Sequence, residues 1–259
     1  MTILEIKELH TSYIADSPVL RGINFKIEQG EFVGIIGLSG SGKSTLLRCI
    51  NRLVEATSGE IFVPGALLAP SSNGAAVDIL KLNRAGIRHA RRKIGMIFQQ
   101  FNIVKRLSVI ENVLSGGLGY QPALRSTLRS FSTGERGKAL VNLKRVGLLD
   151  HAYRRADELS GGEQQRVAIA RALMQQPALI LADEPVSSLD PKLSRVVLDI
   201  LKRVCREDGI TALASLHMLE LTREYADRVI GLRDGQIVFD GSPDALSEVI
   251  VDSVYQRDN

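Results

Sequence analysis

The sequence has no tryptophan, few aromatics of any kind (5% of residues), only two cysteines and eight prolines in 259 residues, and no long apolar run. Each shortage excludes something. Cys49 and Cys205 lie far apart and outside any CxxC or Cys/His spacing, which excludes a disulfide framework and a zinc site and leaves both as reduced, buried small apolar residues. No stretch approaches the roughly 18 apolar residues of a membrane helix. The opening MTILEIKELH has neither the apolar segment nor the cleavage site of a secretory signal, so the chain is expected to stay in the cytosol. What is present, 44% hydrophobic and 24% charged residues with glycine at an ordinary level, describes a globular chain with a sizeable core, built as one large domain or two small lobes.

The net charge is a modest +4, but acid is missing from one tract. No Asp or Glu stands between Asp78 and Glu111, where Lys81, Arg84, Arg88, Arg91, Arg92, Lys93, Lys105 and Arg106 all fall. Three readings are open: a solvated face, a surface near anionic lipid headgroups, or a nucleic-acid contact.

Three apolar runs read as strands buried on both faces: FVGII (32–36), ALILA (178–182) and TALASL (211–216). Each runs straight into chemistry: the first into a glycine loop, the second into Asp183 and Glu184, the third into His217. In a doubly wound parallel sheet such carboxyl ends converge on one site. Strand-like alternation at 3–9, 23–27 and 60–63 predicts an antiparallel sheet leaning on that core. Residues 64–76 read as a surface loop, 108–158 as helical and polar with turn signals at GGLG and STGE, and Asp234-Gly235 as a two-residue hairpin turn within 229–241.

The glycine loop, GLSGSGKST, carries the strongest signal. Gly37 to Ser44 satisfies G-x-x-x-x-G-K-[ST] after a strand and before a helical stretch, the context a phosphate-binding loop requires. Glycines let backbone N–H groups wrap a phosphate, and the helix N-terminus adds positive potential. Gly37, Ser39, Gly40, Ser41, Gly42, Lys43, Ser44 and Thr45 are therefore candidate nucleotide-binding residues, with Lys43 reaching the terminal phosphates and Ser44 a Mg²⁺. Two acids ending an apolar strand are costly to bury without partners. That pattern makes Asp183 a Mg²⁺ ligand through water and Glu184 the general base for an attacking water. Ser160, Gly161 and Gly162 open another helix with a second phosphate-competent N-terminus, although the chain has one phosphate loop.

LSGGEQQRVAIARAL (159–173), in this order with the phosphate loop and the paired acids, resembles the signature of the ATP-binding-cassette ATPases, and the resemblance runs from about residue 3 to 241. It implies an α/β P-loop NTPase core with a parallel sheet, an N-terminal antiparallel β-subdomain and a helical signature subdomain at about 100–165. These belong to one ATP-binding domain over 1–245, followed by a tail at 246–259 too short for a large regulatory domain. It further implies that Tyr13 stacks on adenine, that Gln99 senses Mg²⁺ and γ-phosphate, that Ser188, Leu189 and Asp190 form the D-loop with Asp190 among the nucleotide-binding residues, and that His217 is the switch histidine. Ser160, Gly161 and Gly162 would hold the ATP of a second copy in a head-to-tail dimer.

Members of that family act in membrane transport or as soluble machines on nucleic acid or in translation. About sixty residues from Gln99 to Ser160 leave no room for a repair-type coiled coil, and there is one cassette where translation members have two. A free cassette resembles an importer subunit, peripheral on the cytoplasmic face of the inner membrane, docked on permease subunits and served indirectly by a solute-binding protein, with no nucleic-acid partner. FQQFNIVKRLSVIENVLSG, the insertion at 118–140 and SLHMLELTREYADRVIGLR are similar to the phosphonate-import ATPases. The resemblance implies uptake of a phosphonate, phosphite or phosphate; the alternatives are an importer of another small solute such as an amino acid and, after it, a soluble cassette ATPase acting on nucleic acid.

Overall fold

The computed structural model describes residues 1–14, 17–68, 75–121 and 131–256. The chain opens with the antiparallel pair β1 (Thr2–Ile14) and β2 (Ser17–Glu28), then enters the core through β3 (Phe32–Ile36), all five residues of which are buried. Helix α1 (Lys43–Ile50) follows, then β4 (Ser58–Pro64) and β5 (Ala76–Asp78), which complete an antiparallel sheet in the order β2-β1-β4-β5. The apolar alternation of β1 slips by one residue between Ile6 and Leu9, where the pairing with β2 is interrupted and Glu8 takes a left-handed φ of 46°.

Helix α2 (Arg84–Lys93) is capped by the Asn83 side chain, which accepts from Gly86 N–H, and leads into β6 (Ile94–Ile97). A helical layer follows: α3 (Val109–Ser115), α4 (Thr133–Arg145) and α5 (Gly161–Leu173). The chain then alternates β7 (Leu179–Ala182), α6 (Pro191–Asp208), β8 (Thr211–Ser215), α7 (Leu219–Tyr225), β9 (Arg228–Arg233) and β10 (Gln236–Gly241), and the last helix described is α8 (Glu248–Tyr255). The second sheet runs β10-β9-β3-β8-β7-β6; its strands are parallel except β10, which folds back on β9. One face packs on α3, α4, α5 and α6, while α1, α2 and the antiparallel sheet close the other.

Asp234 and Gly235, both at positive φ (46° and 78°), make the β9–β10 turn that the dipeptide announces. The sheet also holds a strand with too short a pattern to be read in advance: β6 is four residues, IGMI, directly after three basic ones. STGE proves to be a helix start rather than a turn. Ser132 and Glu135 exchange side-chain-to-backbone hydrogen bonds, a capping box that outweighs the weak helix propensity of Thr-Gly. GGLG lies in a short 3₁₀ turn, Gly116–Tyr120. Of the expected loop 64–76, residues 69–74 lie outside the described residues, as do 122–130 of the insertion and the last three residues of the tail. Both cysteines are free and buried. Much of the basic tract is engaged locally: Lys81 pairs with Glu60 and Asp78, Arg91 caps the C-terminal carbonyls of α1 at Asn51 and Arg52, and Arg92 stacks on Tyr120.

Candidate active site

Four strands of the parallel sheet deliver their carboxyl ends to one cleft: β3 the glycine loop, β6 Gln99, β7 Asp183 and Glu184, and β8 His217. The cleft encloses about 500 Å³ and is lined by Tyr13, Val19, Ser39, Gly40, Gly42, Lys43, Ser44, Thr45, Gln99, Glu184 and His217. Gly37 and Gly42 shape its floor. At Gly37 (φ 149°) a Cβ would stand 2.1 Å from the Leu232 carbonyl oxygen, and at Gly42 (φ 104°) 2.8 Å from Leu20 Cδ2, so no larger residue fits either place. Gly42 sits at the N-cap of α1 without a side-chain cap, leaving the first N–H groups of the helix to a ligand.

Lys43 is buried, and its ammonium donates to the carbonyls of Gly37 and Leu38, both at 2.8 Å. Burial pulls its pKa below the ordinary lysine value, against the opposing charges of Glu184 and Asp183. A buried cation beside free helix N–H groups is prepared for an anion. The buried Ser41 hydroxyl, without a hydrogen-bond partner, adds one more unsatisfied donor in the same loop.

Ser44 Oγ donates to Asp183 Oδ1 at 2.6 Å, and Arg48, one turn further along α1, reaches Asp183 Oδ2 at 3.2 Å. Glu184 takes a left-handed φ of 49°, and its N–H donates to Ser215 Oγ at 2.8 Å. Its carboxylate is clasped from both sides: Gln99 Nε2 donates to Oε2 at 2.7 Å, and His217 Nε2 meets Oε1. Tyr13 is exposed, not core, and its hydroxyl shares a hydrogen bond of 3.1 Å with Thr45 Oγ1, which sets the ring at the rim.

Ser160, Gly161, Gly162 and Asp190 are not among the residues lining this cleft. Ser160 and Gly161 are exposed at the start of α5, where Ser160 N and Oγ donate to Glu163 at 2.8 and 2.6 Å. Those hydrogen bonds hold the Glu163 carboxyl below its usual range, against its partial burial. Asp190 caps α6 by accepting from Lys192 and Leu193 N–H. Two residues of the cluster escaped the sequence reading. Arg48 carries a usable signal, since it stands four residues after Ser44 on one helix face; Ser215 is a polar residue ending an apolar strand, which is a weaker one.

A phosphate loop on a parallel sheet, paired acids on the next strand but one and an exposed serine-glycine helix start define the ATP-binding-cassette class of P-loop proteins. The chain belongs to the ABC transporter family, whose model matches residues 20–187. Among curated proteins it is 49% identical over 255 residues to phosphonates import ATP-binding protein PhnC 2 of Oceanobacillus iheyensis, covering 98% of this chain and 96% of that protein. It is 48% identical to the protein of the same name in Halalkalibacterium halodurans (98% and 100% covered) and 49% identical to phosphonates import ATP-binding protein PhnC of Staphylococcus saprophyticus (99% and 96%). Among solved structures it resembles a dimeric ATP-binding cassette in a post-hydrolysis state bound to ADP and Pi, with TM-score 0.78 and 34% identity over 94% of this chain and all of that one. A nucleotide-free cassette of an ABC transporter gives TM-score 0.79 and 28% identity over 98% and 95%. Among the described residues no helix is long and apolar enough to cross a membrane.

Proposed function

We propose that this chain is the ATP-hydrolysing subunit of an importer for phosphonates or a closely related phosphorus oxyanion. The observation that carries the proposal is identity of 46–49% to phosphonate-import ATP-binding proteins across practically the whole chain, on top of a complete nucleotide cleft. The cargo never touches this chain, whose own anion groups are backbone N–H donors and Lys43, shaped for nucleotide phosphates that must leave in every cycle.

The Ser44 hydroxyl and the Gln99 amide oxygen, with the Asp183 carboxylate acting through water, would suit Mg²⁺, a hard cation that keeps water and phosphate oxygens beside a few protein ones. Bound with the nucleotide, the ion would neutralise phosphate charge. Lys43 and the α1 N–H groups hold the β- and γ-phosphates, and Tyr13 offers its exposed ring to the adenine. Glu184 acts as general base on the attacking water, and His217 orients that carboxylate and the γ-phosphate. Gln99, bonded to Glu184, reports the occupancy of the site to the surface beyond it. Ser160, Gly161 and Gly162 close the site of a second copy, with Asp190 at the contact, in a head-to-tail dimer resting on permease subunits at the cytoplasmic face of the membrane. The ATP-binding domain spans 1–245, and 246–259 form an appended segment.

The test is ATPase activity of the chain alone and in complex with permease and binding protein. The isolated chain is expected to ignore added phosphonate, while the loaded complex accelerates several-fold. Stimulation by an amino acid, sugar or metal instead, with none by phosphorus oxyanions, removes the solute assignment.

A further inference from the structure

Between β6 and α3 the chain passes through turns at 98–107, and from this stretch Gln99 reaches Glu184 in the cleft. A loop that carries a side chain to reacting groups needs anchors of its own, because backbone outside helices and sheets is otherwise the first to reorient. Two consecutive residues of the loop, Phe101 (φ 57°) and Asn102 (φ 47°), stand in the left-handed region. Asparagine tolerates that conformation. For a bulky phenylalanine it is an outlier, held only where the surroundings impose it.

What imposes it here is Arg171, near the end of α5. Its Nη2 donates to the Phe101 carbonyl at 2.7 Å and its Nη1 to the Asn102 carbonyl at 2.5 Å. The planar fork of a guanidinium fixes two acceptors together, so both peptides of the kink are oriented by one side chain. Arg171 is itself confined: a Cβ at Gly116, just past α3, would stand 2.0 Å from the Arg171 carbonyl oxygen and 3.1 Å from its Cγ. Further along the loop, the buried Asn112 accepts from Val104 N–H at 2.8 Å and donates to the Val104 carbonyl at 3.1 Å. The far side of the kink is thereby fixed to α3, and the near side ends on Glu184.

We propose that Arg171 is a positioning residue for the ATPase reaction: by holding the Phe101–Asn102 kink it sets Gln99 against Glu184. Without the fork the two left-handed peptides lose the bonds that favour them, and the Gln99 amide swings with the loop. The inference rests on the reading of Glu184 as general base with Gln99 beside it, and is independent of the transported solute.

The experiment measures phosphate release at saturating MgATP, ATP affinity by calorimetric titration, and thermal melting. It compares the parent with Arg171→Met, Arg171→Lys, Gln99→Ala, the double variant Arg171→Met/Gln99→Ala, and Val204→Ala, which thins the buried core toward the C-terminal end of α6. Arg171→Met keeps the stem and removes the fork. Its turnover should fall about tenfold, the lower end for a hydrogen bond to a charged group, and its ATP affinity should change less than its turnover, because Lys43 and the α1 start are untouched. Arg171→Lys, a point charge in place of the fork, should fall between parent and Arg171→Met. The double variant should lose clearly less than the product of the two single losses, since both act through the same amide. Val204→Ala should melt earlier yet turn over as the parent does.

Parent-like turnover in Arg171→Met overturns the proposal, as does a double variant that loses the full product or a turnover that simply follows the melting temperature. Should Arg171→Met not fold, the same cycle is run with Arg171→Lys, and the same outcomes decide. Parent-like turnover in Gln99→Ala removes the role of Gln99 and the proposal with it, whereas a parent that releases no phosphate from ATP removes the ATPase reading itself.

Discussion

At the residue scale, Glu184 concentrates the constraints. It stands in the left-handed region, where a non-glycine backbone costs roughly 1–3 kcal/mol, and is kept there by its N–H bond to Ser215 and by the Gln99–Glu184–His217 clasp. Strain retained at a strand end beside a nucleotide cleft is consistent with a group whose direction matters more than its stability. Glu184→Gln preserves shape and keeps one acceptor oxygen for its neighbours but removes the carboxylate base. ATP affinity should remain and turnover fall about 10²–10⁴-fold, the range for losing a general base, measured by titration and phosphate release. Wild-type turnover in that variant would leave the base unassigned. The identity of Glu184 was legible from two acids ending an apolar run. The clasp was not, because Gln99 is 85 positions away and only the order of strands brings it near.

At the element scale, the helical layer is built by repetition of one device. Helices α3, α4 and α5 each begin with a Ser-x-x-Glu capping box, at Ser108/Glu111, Ser132/Glu135 and Ser160/Glu163. The third box sits on the serine proposed to meet a partner's nucleotide, so its hydroxyl is already oriented along the helix start. Cys205 shows how tightly α6 packs against this layer. It is 4% exposed, and burial pushes its thiol from 9.0 up to about 12. The folded protein thus keeps a proton that the unfolded chain releases above pH 9. The thiol's contribution is fully present below that pH and is lost as pH rises toward 12, at about 1.4 kcal/mol per pH unit. Urea unfolding at pH 8, 9, 10 and 11 should therefore show a steeper alkaline decline in the parent than in Cys205→Ala. Identical slopes would mean that the thiol is wetter than the packing indicates.

At the scale of the whole molecule, the phosphate loop lines the nucleotide cleft, whereas Ser160, Gly161 and Gly162 at the α5 start do not line the cleft of their own chain. A resembling cassette bound to ADP and Pi is dimeric, and the proposed completion of the site by a second copy is open to a direct test. Ser160→Arg should stop hydrolysis by charge and bulk while leaving ATP binding to the loop intact. Lys43→Ala should weaken binding by removing a charge from the phosphates. Mixed together, the two inactive variants should regain activity, because a mixed dimer pairs one intact loop with one intact signature. Folded, pairing mixtures that stay inactive would contradict the in-trans arrangement or require the two sites to be strictly coupled.

The sequence by itself determined the phosphate loop, the acid pair, the signature and the parallel core, because each depends on residues adjacent in the chain: close glycines, a run of buried apolar side chains, a serine three positions before a glutamate. The tertiary structure alone decided which of these meet. The strand order β3-β8-β7-β6 sets His217, Glu184 and Gln99 side by side, the α1 turn lays Arg48 on Asp183, and Gly231 admits Val254 of α8 beside Ile36. Such meetings follow from how strands neighbour one another and from the close packing of shapes, quantities to which residues far apart contribute equally and which no local spacing encodes.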